Sequence, residues 1–160
     1  MTRRLRLPAV ALIAGAAVML GASSVLAACH LVPFKATFSG SAVPTSPTTI
    51  SFAGTGSASH MGRITNVGNV TVTGPDGSCN GGVTAVNTET LTAANGDAIT
   101  IQSHDVTCLT GPNQYHGTGH WTVTDGTGRF RHATGEGSFD GIADLGAQTF
   151  TIALDGSIAY

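Results

Sequence analysis

The chain has 160 residues, 41% hydrophobic and 10% charged, with 22 glycines and three cysteines. Three of its seven basic side chains and a long apolar run fall in residues 1–28. The other 132 residues hold four basic side chains against nine acidic ones, a formal charge of −5. A body of that size is one domain. Its acidity and single lysine exclude nucleic-acid binding, and 22 Thr with 20 Gly against five Leu exclude a helical bundle.

From the amino terminus, Arg3, Arg4 and Arg6 precede an uncharged, Ala-rich run from Val10 to Leu20, and small residues follow. This is the layout of a secretory signal, and it is too short for a convincing spanning helix. The expected division is a signal peptide over 1–28 and a single domain over 29–160. Leu26-Ala27-Ala28-Cys29 resembles the lipobox of bacterial lipoproteins. That resemblance implies that Cys29 becomes the first mature residue, is diacylated, and holds the protein on the outer face of the cell membrane. Val25-Leu26-Ala27 also satisfies an ordinary signal peptidase, which would release a soluble, secreted protein. Cysteine arithmetic favours the lipid, because three cysteines in an exported protein leave one unpaired and lipidation of Cys29 accounts for it. Cys79 and Cys108 are then the expected disulfide, closing a 29-residue loop. A metal-binding or reactive thiol pair is the alternative, but it lacks CxxC spacing and a basic activator.

Period-two alternation begins at Phe34, where Phe34, Ala36 and Phe38 share one face, and recurs to the last residue. Val43-Pro44-Thr45-Ser46-Pro47 reads as a surface loop. Strands are expected over 67–73, 83–91 and 98–106, broken by Gly74-Pro75-Asp76-Gly77 and by Ala94-Asn95-Gly96-Asp97. The Asn-Gly pair in the second break predicts a type I′ hairpin. After Gly111-Pro112-Asn113, Tyr115, Gly117, Gly119, Trp121 and Val123 share one face, opposite His116, Thr118, His120 and Thr122. The terminal strand aligns Phe150, Ile152, Leu154, Ile158 and Tyr160. About eight short antiparallel strands with two edges to hide predict an all-β, eight-stranded antiparallel β-barrel, with a two-sheet sandwich as the alternative.

Asp125-Gly126-Thr127-Gly128-Arg129-Phe130-Arg131-His132-Ala133-Thr134-Gly135 resembles the GTGxFxxAxG signature of dirigent proteins and allene oxide cyclases. The resemblance covers about 15 residues, including the strand from Trp121 to Thr124 that leads into it. It rests on Gly126, Thr127, Gly128, Phe130, Ala133 and Gly135. It implies an eight-stranded antiparallel barrel enclosing an apolar pocket, with this segment at a sharp turn where Phe130 and Ala133 plug the barrel end. The motif carries no catalysis in those families, so no active-site residue transfers to this chain.

Candidate chemistry is sparse. His116 and His120 share a strand face, but four residues of strand span about 13 Å, too far to chelate one ion. No metal and no cofactor is expected. The run from Gly54 to Arg63 is glycine-rich but lacks the Gly-Lys-Ser/Thr and following helix of a phosphate loop. His60 and Arg63 are candidates to orient a ligand's carboxylate at the barrel mouth, and Trp121 to line a lumen. Glu89, Asp105, Glu136 and Asp140 are the available carboxylates. Asp105 lies beside His104, but neighbours on a strand point to opposite faces. The expected function is non-catalytic binding of a small apolar molecule. An isomerase or cyclase like the resembled families is the second reading, and it requires a buried, pKa-shifted carboxylate or histidine inside the lumen. A structural envelope protein is the third.

Overall fold

The computed structural model describes residues 30–160; the segment 1–28 expected to be a signal peptide, and Cys29, lie outside the described residues. Eight antiparallel strands follow one another: β1 Val32–Ser46, β2 Thr49–Ala58, β3 Gly62–Pro75, β4 Val83–Ala93, β5 Ala98–Gly111, β6 Gln114–Gly126, β7 Thr134–Asp144 and β8 Thr149–Ala159. Each pairs with its neighbours in sequence, and β1 pairs with β8 from Val32↔Ile158 to Ser41↔Thr149. The sheet is therefore a closed up-and-down barrel with no free edge.

Alternation decides which residues face inward. Along β1, Phe34, Ala36 and Phe38 are buried while Lys35, Thr37 and Ser39 are exposed. Lys35 reaches Asp155 on β8 at 2.7 Å across the outer face, an exposed ion pair worth little. One half of the lumen is solid. There Phe34 meets Trp121 edge-on at 5.6 Å between ring centroids, and Ile64, Leu91, Ile99, Ile101 and Ile158 fill the remaining space. An eight-stranded barrel is just wide enough for such side chains to close it.

The segment from Gly126 to Gly135 seals that half. A short 3₁₀ turn, Gly128–Phe130, sits between β6 and β7 and drives Phe130 into the barrel end, fully buried. Ala133 packs against the same core. Thr127 ties the plug to β5 twice: its N–H donates to the Ala98 carbonyl at 2.8 Å, and its Oγ1 accepts from the Ala98 N–H at 3.0 Å. Gly128 has φ +58°, and a Cβ there would collide with the Asp97 carboxylate. Arg129 lies over the Phe130 ring, pairs with Asp97 at 3.5 Å and donates to the His60 carbonyl.

Two local expectations are corrected. Residues 43–46 are not a surface loop but the end of β1, where Val43 pairs with Ser51 and Pro44 with Ile50. Proline is tolerated there because a bulge follows at once. The Asn95-Gly96 turn is not type I′, since Gly96 has φ +88° but Asn95 stays in the right-handed half. The Gly96 N–H donates to the Ala93 carbonyl, and Asn95 is held by Asp97, whose N–H and carboxylate both bond its side-chain amide.

Cys79, in the β3–β4 loop, is bonded to Cys108 on β5, with Cα atoms 5.8 Å apart. Closing a loop of 29 residues restricts the unfolded chain. The Cys79→Ala/Cys108→Ala double variant is therefore expected to lose about 3 kcal/mol, read as a lower urea midpoint than the oxidised protein.

Candidate functional site

The other half of the lumen is hollow. At the end carrying the β1–β2, β3–β4, β5–β6 and β7–β8 connections lies a cavity of about 330 Å³. Its walls include Ile50, Phe52, Val70, Phe139, Phe150 and Ile152, drawn from β2, β3, β7 and β8. It is hollow because the inward positions at this height carry Ala85, Gly117, Gly141 and Ala143, where the solid half carries Trp121, Phe34 and Leu91. The lumen is thus a cup, stoppered by Phe130 and open at the opposite end.

Polar groups are gathered on β3, β4 and β5 between cup and core. Asn87, Asp105 and Thr107 line the cavity. Asn87 Nδ2 donates to Asp105 Oδ1 at 3.1 Å, and Thr107 Oγ1 donates to Asp105 Oδ2 at 2.6 Å. Burial pushes the Asp105 carboxyl upward, while Thr107, the charge of His104 and Asn87 pull it back. Deeper in, Glu89 is 1% exposed and accepts one hydrogen bond, from Asn66 Nδ2 at 2.7 Å. Desolvation raises its carboxyl from 4.5 to about 8, with the Asn66 bond opposing. It therefore holds its proton at neutral pH. Ser103 sits opposite both Asn87 and Trp121 in the ladder. Asn66 Oδ1, Asn87 Oδ1, Glu89 Oε1, Ser103 Oγ and Trp121 Nε1 are buried without a hydrogen-bond partner, a concentration that native interiors rarely tolerate without use. Chemically, the arrangement offers an apolar chamber, a hydrogen-bond-accepting floor, and below it a neutral carboxylic acid.

The residues singled out from sequence are spread widely. His60, on the β2–β3 turn, and Arg63, at the start of β3, are exposed at the stoppered end, so they do not stand at the open mouth. His60 is instead structural: it has φ +64°, its Nε2 lies 3.0 Å from the Pro33 carbonyl oxygen, and it faces Tyr160 with ring centroids 5.8 Å apart. Trp121 points into the barrel, but as core beneath the cavity and not as part of its wall. The linear order of the strands does not reveal which end of a barrel is empty. Glu136 and Asp140 are exposed, Asp140 beside His116 at 3.1 Å. Asp105 and His104 point to opposite faces and share no hydrogen bond. Among the described residues, no three histidines, cysteines or carboxylates converge as a metal site would require.

Sequence reasoning missed the inward placement of Glu89, Asn66, Asn87 and Ser103. The signal was present: in β4, Glu89 alternates in phase with Ala85, Leu91 and Ala93, all of them buried.

Comparison with known proteins returned no match: no family model, no curated protein and no solved structure is similar to this chain.

Proposed function

We propose that this protein is an exported, membrane-anchored barrel that takes a small apolar molecule into the hollow half of its lumen and releases it unchanged. The cavity carries the reading: it is concave, predominantly apolar, and has a few convergent polar groups, the ordinary constitution of a small-molecule site. Export and lipidation at Cys29 are supported by the Arg-rich, Ala-rich leader and the lipobox resemblance. They gain support from the Cys79–Cys108 bond, which uses the other two cysteines of the chain. Kinship with dirigent proteins and allene oxide cyclases is proposed on the GTGRFRHATG segment, with its glycines at the tight turn and its phenylalanine as the stopper.

One observation favours a second reading, an isomerase- or cyclase-type enzyme. Glu89 is a protonated carboxylic acid at neutral pH, buried beside the chamber, the kind of group that can deliver a proton to a bound intermediate. Glu89 is not itself part of the cavity wall, which places the binding reading first.

A fluorescence titration tests this. N-phenyl-1-naphthylamine, an uncharged apolar dye, is expected to brighten with saturable, one-site binding. Ala85→Phe, which puts a ring into the chamber from a small wall position, is expected to weaken binding at least about tenfold. A linear, unsaturable response, or equal binding by the variant, contradicts a lumen site.

A further inference from the structure

We infer that the chamber selects a ligand with a cationic, hydrogen-bond-donating head, a primary amine in its ammonium form, seated between Asn87 and Asp105 with its apolar body toward the open mouth. This rests on the proposed binding function and names the class of molecule that the site takes.

The argument begins with hydrogen-bond accounting on the cavity floor. Asn87 is only 2% exposed and belongs to the cavity wall. Its amide nitrogen is committed to Asp105, and its Oδ1 has no partner. Both protein contacts to the Asp105 carboxylate, from Asn87 and from Thr107, are donors, so they favour the ionised form against the burial that raises its carboxyl, and a cationic partner would favour it further. The floor therefore presents an unsatisfied amide oxygen beside a carboxylate whose remaining lone pairs are free. It needs donors and offers almost none.

Charge points the same way. No Lys, Arg or His is found among the residues around the cavity. A ligand ending in a carboxylate or phosphate would bring a second negative charge against Asp105 in a poorly solvated space, with only the outward-facing His104 to offset the repulsion. A hydroxyl head donates one hydrogen bond and leaves either the amide oxygen or the carboxylate unserved. An ammonium has three N–H donors and no acceptor, so it can bridge both and neutralise the buried charge. The apolar walls formed by Val70, Phe52 and Ile152 accommodate the hydrocarbon part.

Matched head groups on one chain separate the possibilities. Calorimetric titration of the purified protein at pH 7 with octylammonium, octanol and octanoate is expected to rank them in that order. Octylammonium should bind at least about tenfold more tightly than octanol, and octanoate most weakly, as a charge-assisted hydrogen bond implies. In Asp105→Asn, which keeps the shape and removes the charge, the ammonium advantage over octanol should fall to about threefold or less, with octanol affinity little changed. The ranking on the unmodified protein decides the matter even where the variant fails to fold. Equal binding of all three, or tighter binding of octanoate or octanol, overturns the head-group inference and leaves an apolar binding site standing. Silence from all three while N-phenyl-1-naphthylamine still saturates overturns the inference alone. Silence from dye and octyl compounds together overturns both.

Discussion

Trp121→Ala is expected to destabilise the barrel by about 3–5 kcal/mol, a large share of the total stability of a domain of this size. Trp121 is fully buried in the solid half, edge-on to Phe34. Gly156 on β8 lets it lie close, since a Cβ there would stand 2.8 Å from the indole Cζ2. Removing the indole empties a volume walled by packed strands, and a closed sheet has little freedom to collapse into it. Loss of the unpartnered Nε1 returns a fraction of the cost. Phe139→Ala serves as the contrast. That ring borders an existing cavity, so its removal enlarges open space and should cost less than the Trp121 variant. Urea unfolding followed by circular dichroism compares the two, because Trp121 is the sole tryptophan and its variant has no indole signal. Equal losses would mean that the lumen is not divided into a solid and a hollow half.

The second large effect is a dependence of stability on pH opposite to that of ordinary carboxylates. The Glu89 carboxyl is near 4.5 when solvated and about 8 when folded, so the folded state holds a proton that the unfolded state has released. Its contribution is complete below about pH 4.5, declines by about 1.4 kcal/mol for each pH unit above that, and is gone once pH passes about 8. Asp105, raised chiefly by burial, adds a slope of the same sign. Glu89→Gln mimics the protonated acid and can still accept from Asn66. It is expected to flatten the profile between pH 6 and 8 and to be the more stable protein at pH 8, by about 1–3 kcal/mol. Denaturant midpoints at pH 5, 6.5 and 8 give the answer. A wild-type midpoint that rises over this range would show that Glu89 is ionised and solvated.

The fold was legible because its governing variable, the alternation of small apolar and polar residues, is local. Phe34, Ala36 and Phe38 are inward for the same reason that Lys35 is outward, and the pattern holds through Ile158. The plug was legible because its glycines and Phe130 lie within a few residues of one another. The site was not, for two physical reasons. The hollow is a sum over the strands of the barrel: Ala85, Gly117 and Gly141 are unremarkable singly and leave room only when the closed sheet gathers them round one space, with Gly117 paired to Gly141. Polar residues on an inward face also resemble an interruption of the pattern. Asn87 and Glu89 occupy core positions of β4, yet nothing in the linear sequence states that Asn66 will reach Glu89 or that Asp105 will reach Asn87. Nor does it say that Arg129 and His60 are used up in holding the stopper in place.

The central claim is that one half of this lumen is an occupiable chamber and the other is solid core. Intermolecular nuclear Overhauser effects from a bound apolar ligand, with octylammonium as the probe and isotope-labelled protein, test it most directly. The expected contacts are to the methyl groups of Val70, Ala85 and Ile152, and to none of those of Leu91, Ile99 or Ile158. Contacts confined to outward residues such as Val67 or Val43, or spread evenly over both halves, would contradict it.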